Sequence, residues 1–154
     1  MKVILSLITV GTLLAWTTAI GGAWGMGPFD NDDALDWVWE LEDSDSTAVL
    51  ESALKDVVGS MFYFSAPECS RAIAAAEVVA ALAGKPRPEL PDEVASWVRS
   101  NKLVADEELI NLAKQSVTLV RDSNKSELAE LWRDSGSDYD EWHSSLSDLL
   151  KRLS

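Results

Sequence analysis

The sequence predicts an all-α chain: an irregular or orthogonal bundle of about six to seven helices after an N-terminal apolar leader. Three observations predict it. Apolar residues recur at helical spacing along most of the chain beyond residue 31. No stretch sustains strict apolar–polar alternation; the nearest is Met61–Phe64, MFYF, readable as a short extended piece or a helical turn. The breaks between periodic runs carry residues that start helices (Asp, Asn, Ser, Pro) or stop them (Gly).

The elements follow in order. Met1–Ile20 has a basic start at Lys2, an uncharged run and small residues at its end, the anatomy of a secretory signal. Residues 1–21 therefore read as a signal peptide cleaved after Gly21. An uncleaved membrane anchor and a misplaced gene start are the competing readings. Export follows if the leader is genuine, and a cytoplasmic location if it is not. Residues 22–154 read as a single helical domain, since 154 residues suffice for one core.

Helix one is expected over Asp33–Glu42, capped by Asn31 or Asp32. Its apolar arc comprises Ala34, Leu35, Trp37, Val38, Trp39 and Leu41. Helix two runs over Thr47–Val58 and ends at Gly59, with Val49, Leu50, Ala53, Leu54, Val57 and Val58 inward. Helix three spans Pro67–Ala83 and stops at Gly84. From Ala72 to Ala83 its only polar residue is Glu77, so it is the expected central helix. A proline-spaced connector, Lys85–Pro91, leads to Asp92–Asn101, where Val94, Trp97 and Val98 share a face. Asp106–Arg121, Ser126–Asp134 and Asp138–Leu153 complete the set. The last carries a stripe of Tyr139, Trp142, Leu146, Leu149, Leu150 and Leu153, with Lys151 and Arg152 placed to complement its C-terminal dipole.

Charge narrows the partners. The net charge is −13, and no Lys/Arg cluster exists to neutralise phosphates, which argues against nucleic acid. A membrane is reachable only through the leader. A basic protein is the complementary partner. The lone cysteine, Cys69, and the lone histidine, His143, leave no Cys- or His-rich metal site. No G-x-S-x-G elbow, HExxH pair or phosphate loop is present. Cys69 reads as a small semi-buried side chain and His143 as a boundary residue with its hydrogen bonds met. No cofactor and no catalytic residue is assigned.

Two acidic features remain. Asp33, Asp36 and Glu40 fall on one side of helix one and form a candidate interaction face, against the reading of a plain solvated surface. Glu77 must be paired if it is central. It reads as a structural acid, with backbone N–H groups of the Gly22–Gly27 loop as donors. Trp24 and Phe29 read as anchors of a glycine-hinged strap over the helices, and Trp37 and Trp39 as packing residues.

The segment beginning at Gly22 resembles the bacterial domain of unknown function 4259 family. Its GAWG-x-G-x-F-x-N-D-D-A-x-D-W pattern is matched by Gly22, Ala23, Trp24, Gly25, Gly27, Phe29, Asn31, Asp32, Asp33, Ala34, Asp36 and Trp37. Further matching stretches are Ala66-Pro67 followed by Ala74–Leu82, with Glu77 inside it, and Pro88–Pro91 leading to Trp97. The resemblance covers roughly residues 22–154 and implies a small helical bacterial domain; it brings no activity with it. The leader departs from the family pattern, which starts at or near GAWG. The function expected from the residues is a non-catalytic binding domain, with an immunity-like inhibitor as its specific form. The alternatives are a metal-assisted hydrolase using Asp33, Asp36 or Glu77, and an envelope-tethered structural domain.

Overall fold

A computed structural model of the chain describes residues 25–154. The leader, with its signal and anchor readings, lies outside the described residues, as do Gly22, Ala23 and Trp24. Seven helices follow one another: α1 (Asp32–Glu42), α2 (Ala48–Val58), α3 (Ala66–Leu82), α4 (Asp92–Asn101), α5 (Glu107–Asp122), α6 (Glu127–Ser135) and α7 (Tyr139–Arg152).

Helix starts are set by side-chain caps. Asn31 Oδ1 accepts from the Ala34 N–H at 2.8 Å, so Asn31 is the cap and Asp32 the first helical residue. Asp106 caps α5 and Ser126 caps α6 in the same way. Pairing with the dipole adds to this, since Asp32 and Asp33 sit in the first turn of α1.

Helix α3 has the most complete start. Ser65 and Glu68 form a capping box: the Ser65 N–H and hydroxyl donate to Glu68 Oε2 at 2.7 and 2.8 Å, and the Ser65 oxygen accepts from the Glu68 N–H. Ser65→Ala is expected to cost about 1 kcal/mol, the usual worth of such a cap. A urea midpoint unchanged from the parent would refute this. At its other end Gly84 takes φ +79°, where a side chain would be strained. The Gly84 N–H reaches the Ala81 carbonyl at 3.0 Å and the Lys85 N–H reaches the Ala80 carbonyl at 2.9 Å. This double closure satisfies carbonyls that the helix end would leave orphaned.

Helix α3 is the centre of the molecule. It touches each of the six other helices, and from Ala72 to Ala81 every residue is buried. The run of alanines is what permits this, since a methyl group lets a neighbouring backbone approach where a Leu would hold it off. One hydrophobic cluster, with members from all seven helices, surrounds it.

The MFYF stretch is not helical: the chain bends at Met61 and Phe62 and reaches a bridge at Phe64, and burial divides it by residue. Phe64 is buried, while Met61 and Phe62 are each 79% exposed and Tyr63 is half exposed. Phe64 forms an isolated parallel bridge to Ser126. Its N–H donates to the Lys125 carbonyl at 3.0 Å, and its carbonyl accepts from the Glu127 N–H at 3.1 Å. This pins the α2–α3 connection to the start of α6.

One packing expectation is corrected. Trp37 is buried, but Trp39 is 68% exposed. The buried stripe of α1 is Ala34, Trp37, Val38 and Leu41. At about 100° per residue Trp39 lies roughly 150° from its centre. The apolar arc drawn from sequence was too broad to form a single contact face.

Candidate functional site

Two places in the molecule gather the polar residues singled out in the sequence. The first is internal. Glu77 projects from the middle of α3 and is only 3% exposed. A carboxylate there must be paired, because desolvating an isolated charge is prohibitive. Its partner is Arg152, at the end of α7. Arg152 Nη1 donates to Glu77 Oε2 and Nη2 to Oε1, both at 2.8 Å. The two parallel bonds are the fork geometry that suits guanidinium to carboxylate.

Arg152 also donates through Nε to Asp148 Oδ2 at 3.0 Å, and through Nη1 to the Lys85 carbonyl at 3.4 Å. The hydrogen bond to Glu77, more than the contact with Asp148, raises the Arg152 pKa above its ordinary value against the opposing effect of burial. The structural role expected for Glu77 therefore has a different agent. Of the glycine loop expected to supply backbone donors, the Gly27 N–H donates to Asp30 Oδ2 at 2.9 Å, while Gly22, Ala23 and Trp24 lie outside the described residues. Arg152 stands in the last turn of α7, as the dipole reading requires, and its guanidinium also turns inward to Glu77.

A second arginine stands at the same carboxylate. Arg87 Nη1 is 3.9 Å from Glu77 Oε1, an oxygen already engaged by Arg152. Arg87 Nε is buried and has no hydrogen-bond partner among the described residues. These groups line a cavity of about 130 Å³ beneath the Gly25–Pro28 strap. Its polar side holds Asn31, Ser70, Glu77 and Arg87, and its apolar side holds Trp132 and Trp142. The two indoles stack at 6.2 Å between ring centroids, with 18° between planes.

The strap is closed by a tight turn. A Cβ on Gly25 or on Gly27 would come within 2.5 Å of Asp30 Oδ2, so any side chain at either position would displace that carboxylate. Phe29 is buried, as its expected anchoring role requires.

The second place is the outer face of α1. Asp36 and Glu40 are exposed and Asp33 is half-buried. Trp39, which sequence periodicity puts inside, stands at the edge of this face, one turn from Asp36 and from Asp43. The carboxylates of α1 are thus turned away from the interior, while Glu77 is inside and taken by Arg152. The donor set that a metal-assisted hydrolase would draw on is not brought together. Among the described residues no group of three or more His, Cys, Asp or Glu side chains is placed to hold a metal ion.

The remaining candidates are structural. The Cys69 thiol is buried, with Sγ 3.6 Å from Ser126 Oγ, and burial pushes its pKa up to about 11. It is the reverse of an activated nucleophile. His143 Nε2 lies 3.6 Å from Asp122 Oδ1, a charge contact longer than a hydrogen bond. Asp122 is held mainly by the forked bond from Arg121, which lowers its pKa. No helix among the described residues is long and apolar enough to cross a membrane.

Sequence reasoning missed Arg87 and Arg152 as members of the Glu77 site. The available signal was that Arg152 stands three residues after Leu149 and so borders the buried stripe of α7.

No curated protein and no solved structure matches the chain significantly. A family model does, over residues 22–145, a span that takes in the strap, α1, Glu77 and the first half of α7. That match covers most of the chain, and the protein therefore belongs to the family described as domain of unknown function DUF4259.

Proposed function

We propose that this domain is a non-catalytic interaction module that binds a basic protein through the outer face of α1. The observation that carries the reading is Trp39, 68% exposed on a regular helix and bordered by Asp36, Glu40 and Asp43. Tryptophan is the residue type most enriched among interface hot spots. An exposed indole attracts Lys or Arg over its face, and the neighbouring carboxylates pair with the same cation. The net charge of −13 steers a basic partner towards the molecule. An immunity-like inhibitor of a basic toxin is the specific form this reading takes.

The test is binding of the proteins encoded beside its gene, measured at low and at physiological salt. A basic neighbour is expected to bind, with affinity falling at least about tenfold on Trp39→Ala, the order of a hot-spot truncation. Added salt should weaken the complex further. Phe62→Ser, in the other exposed apolar patch, should leave binding unchanged. Binding that ignores both salt and Trp39→Ala would sink the proposal, and so would sensitivity confined to Phe62→Ser.

A further inference from the structure

The cavity beneath the strap is distinct from the α1 face, and its chemistry can be argued separately. Arg152 spends its donors on Glu77, Asp148 and the Lys85 carbonyl. Arg87 does not. Its Nε is buried without an acceptor among the described residues, and the nearest carboxylate oxygen recorded for it is 3.9 Å away and already bonded. A buried donor left unsatisfied costs free energy that a suitable acceptor recovers. Native structures leave few such groups, so this one asks for an occupant.

We propose that the cavity binds a small monocarboxylate with a short apolar body, its carboxylate on Arg87 and its body against Met26 and Pro88, beside the buried Trp132 and Trp142. Each part of that description follows from a wall of the cavity. A guanidinium edge matches the two oxygens of a carboxylate, and the charged pair is about twice as strong as a neutral one. Arg152 is paired with Glu77 and Asp148, so Arg87 is the one lining cation left to balance a ligand, and it matches a single carboxylate. Met26 and Pro88 line the same space and keep accessible surface, so an apolar body gains contact there.

Volume sets the size. The cavity measures about 130 Å³, close to the roughly 150 Å³ engineered cavity that takes up benzene. Aromatic acids of one ring and short branched aliphatic acids are the compounds of that size. The Arg87 side chain is 26% exposed, so the carboxylate end of the ligand lies at the side where the site meets solvent.

Benzoate is the probe, and the indole N–H resonances of Trp132 and Trp142 in the ¹H–¹⁵N spectrum of the folded chain are the readout. Benzoate should shift both resonances saturably, with a Kd of about 1 mM or tighter. Benzyl alcohol, which keeps the ring and loses the charge, should bind at least about tenfold more weakly. Phthalate, which adds a second charge, should do the same. Arg87→Gln should weaken benzoate at least about tenfold, and Arg87→Lys, which keeps the charge without the fork, should fall between the two.

A failure to saturate by about 10 mM benzoate, a concentration well above the expected Kd, would overturn the proposal. Benzyl alcohol binding as tightly as benzoate would overturn it too. So would a cavity holding only water in crystals grown with the acid. If Arg87→Gln does not fold, Arg87→Lys carries the test, and unchanged affinity in that variant removes the assigned role. None of these outcomes bears on the α1 face, because Trp39 does not line the cavity.

Discussion

Glu77→Gln is expected to destabilise the protein by about 2–4 kcal/mol, toward the lower end of the cost of breaking a buried ion pair. The amide keeps the shape of the side chain but withdraws the charge that both guanidiniums face. Arg152 retains Asp148, which is why the loss stops short of the full penalty for a stranded charge. Chemical denaturation measures it directly. At roughly 2–5 °C per kcal/mol for a chain of this size, the melting midpoint should fall by about 5–15 °C.

The converse variant separates a pair from two independent contributions. Arg152→Leu leaves the Glu77 carboxylate buried, with only the more distant Arg87 to balance it, and should cost at least as much. The double variant Glu77→Leu with Arg152→Leu removes both charges, and an apolar replacement of similar volume is often neutral. It should therefore be more stable than Arg152→Leu alone. A double variant whose loss equals the sum of the two single losses would show that the groups do not act as a pair.

Phe64→Ala should be as costly, at about 3–5 kcal/mol, for a different reason. Phe64 is 1% exposed, so truncation removes buried apolar area and leaves a cavity. The backbone bonds to Lys125 and Glu127 do not involve the ring, so the connection should keep its path while the chain loses stability. Phe62 supplies the internal control. It is the same residue type two positions earlier and is 79% exposed, and Phe62→Ala should stay within about 0.5 kcal/mol of the parent. Equal losses at the two positions would contradict the placement of the segment.

What could be read from the sequence was local. The limits of α4 coincide with its periodic segment, and the other helices differ from theirs by about one residue at an end, within normal variation. The stop at Gly84 follows from chain chemistry, since a left-handed residue closes the helix wherever the rest of the molecule lies. The burial of α3 was legible because a helix apolar on nearly all sides has no other stable placement.

The misreadings came from relations that local spacing does not carry. Trp39 was placed inside on hydrophobicity, yet which part of a wide apolar arc is covered depends on the neighbouring helices. Glu77 required a partner by electrostatics alone, but nothing local identifies a residue 75 positions away. Arg152 had a sufficient local explanation in the helix dipole, which hid its distant one. The α1 acids were legible as one face because three- and four-residue spacing is itself geometry.

The placement of α3 has a consequence for how the molecule comes apart. Each of the other six helices rests on it, so displacing α3 takes a packing surface from every one of them at once. Openings that leave α3 in place include fraying ends and connections, such as the exposed Met61–Phe62 tip. Opening that reaches the alanine run exposes the surfaces of all seven helices together. The small side chains that make the centre narrow also make the disassembly cooperative.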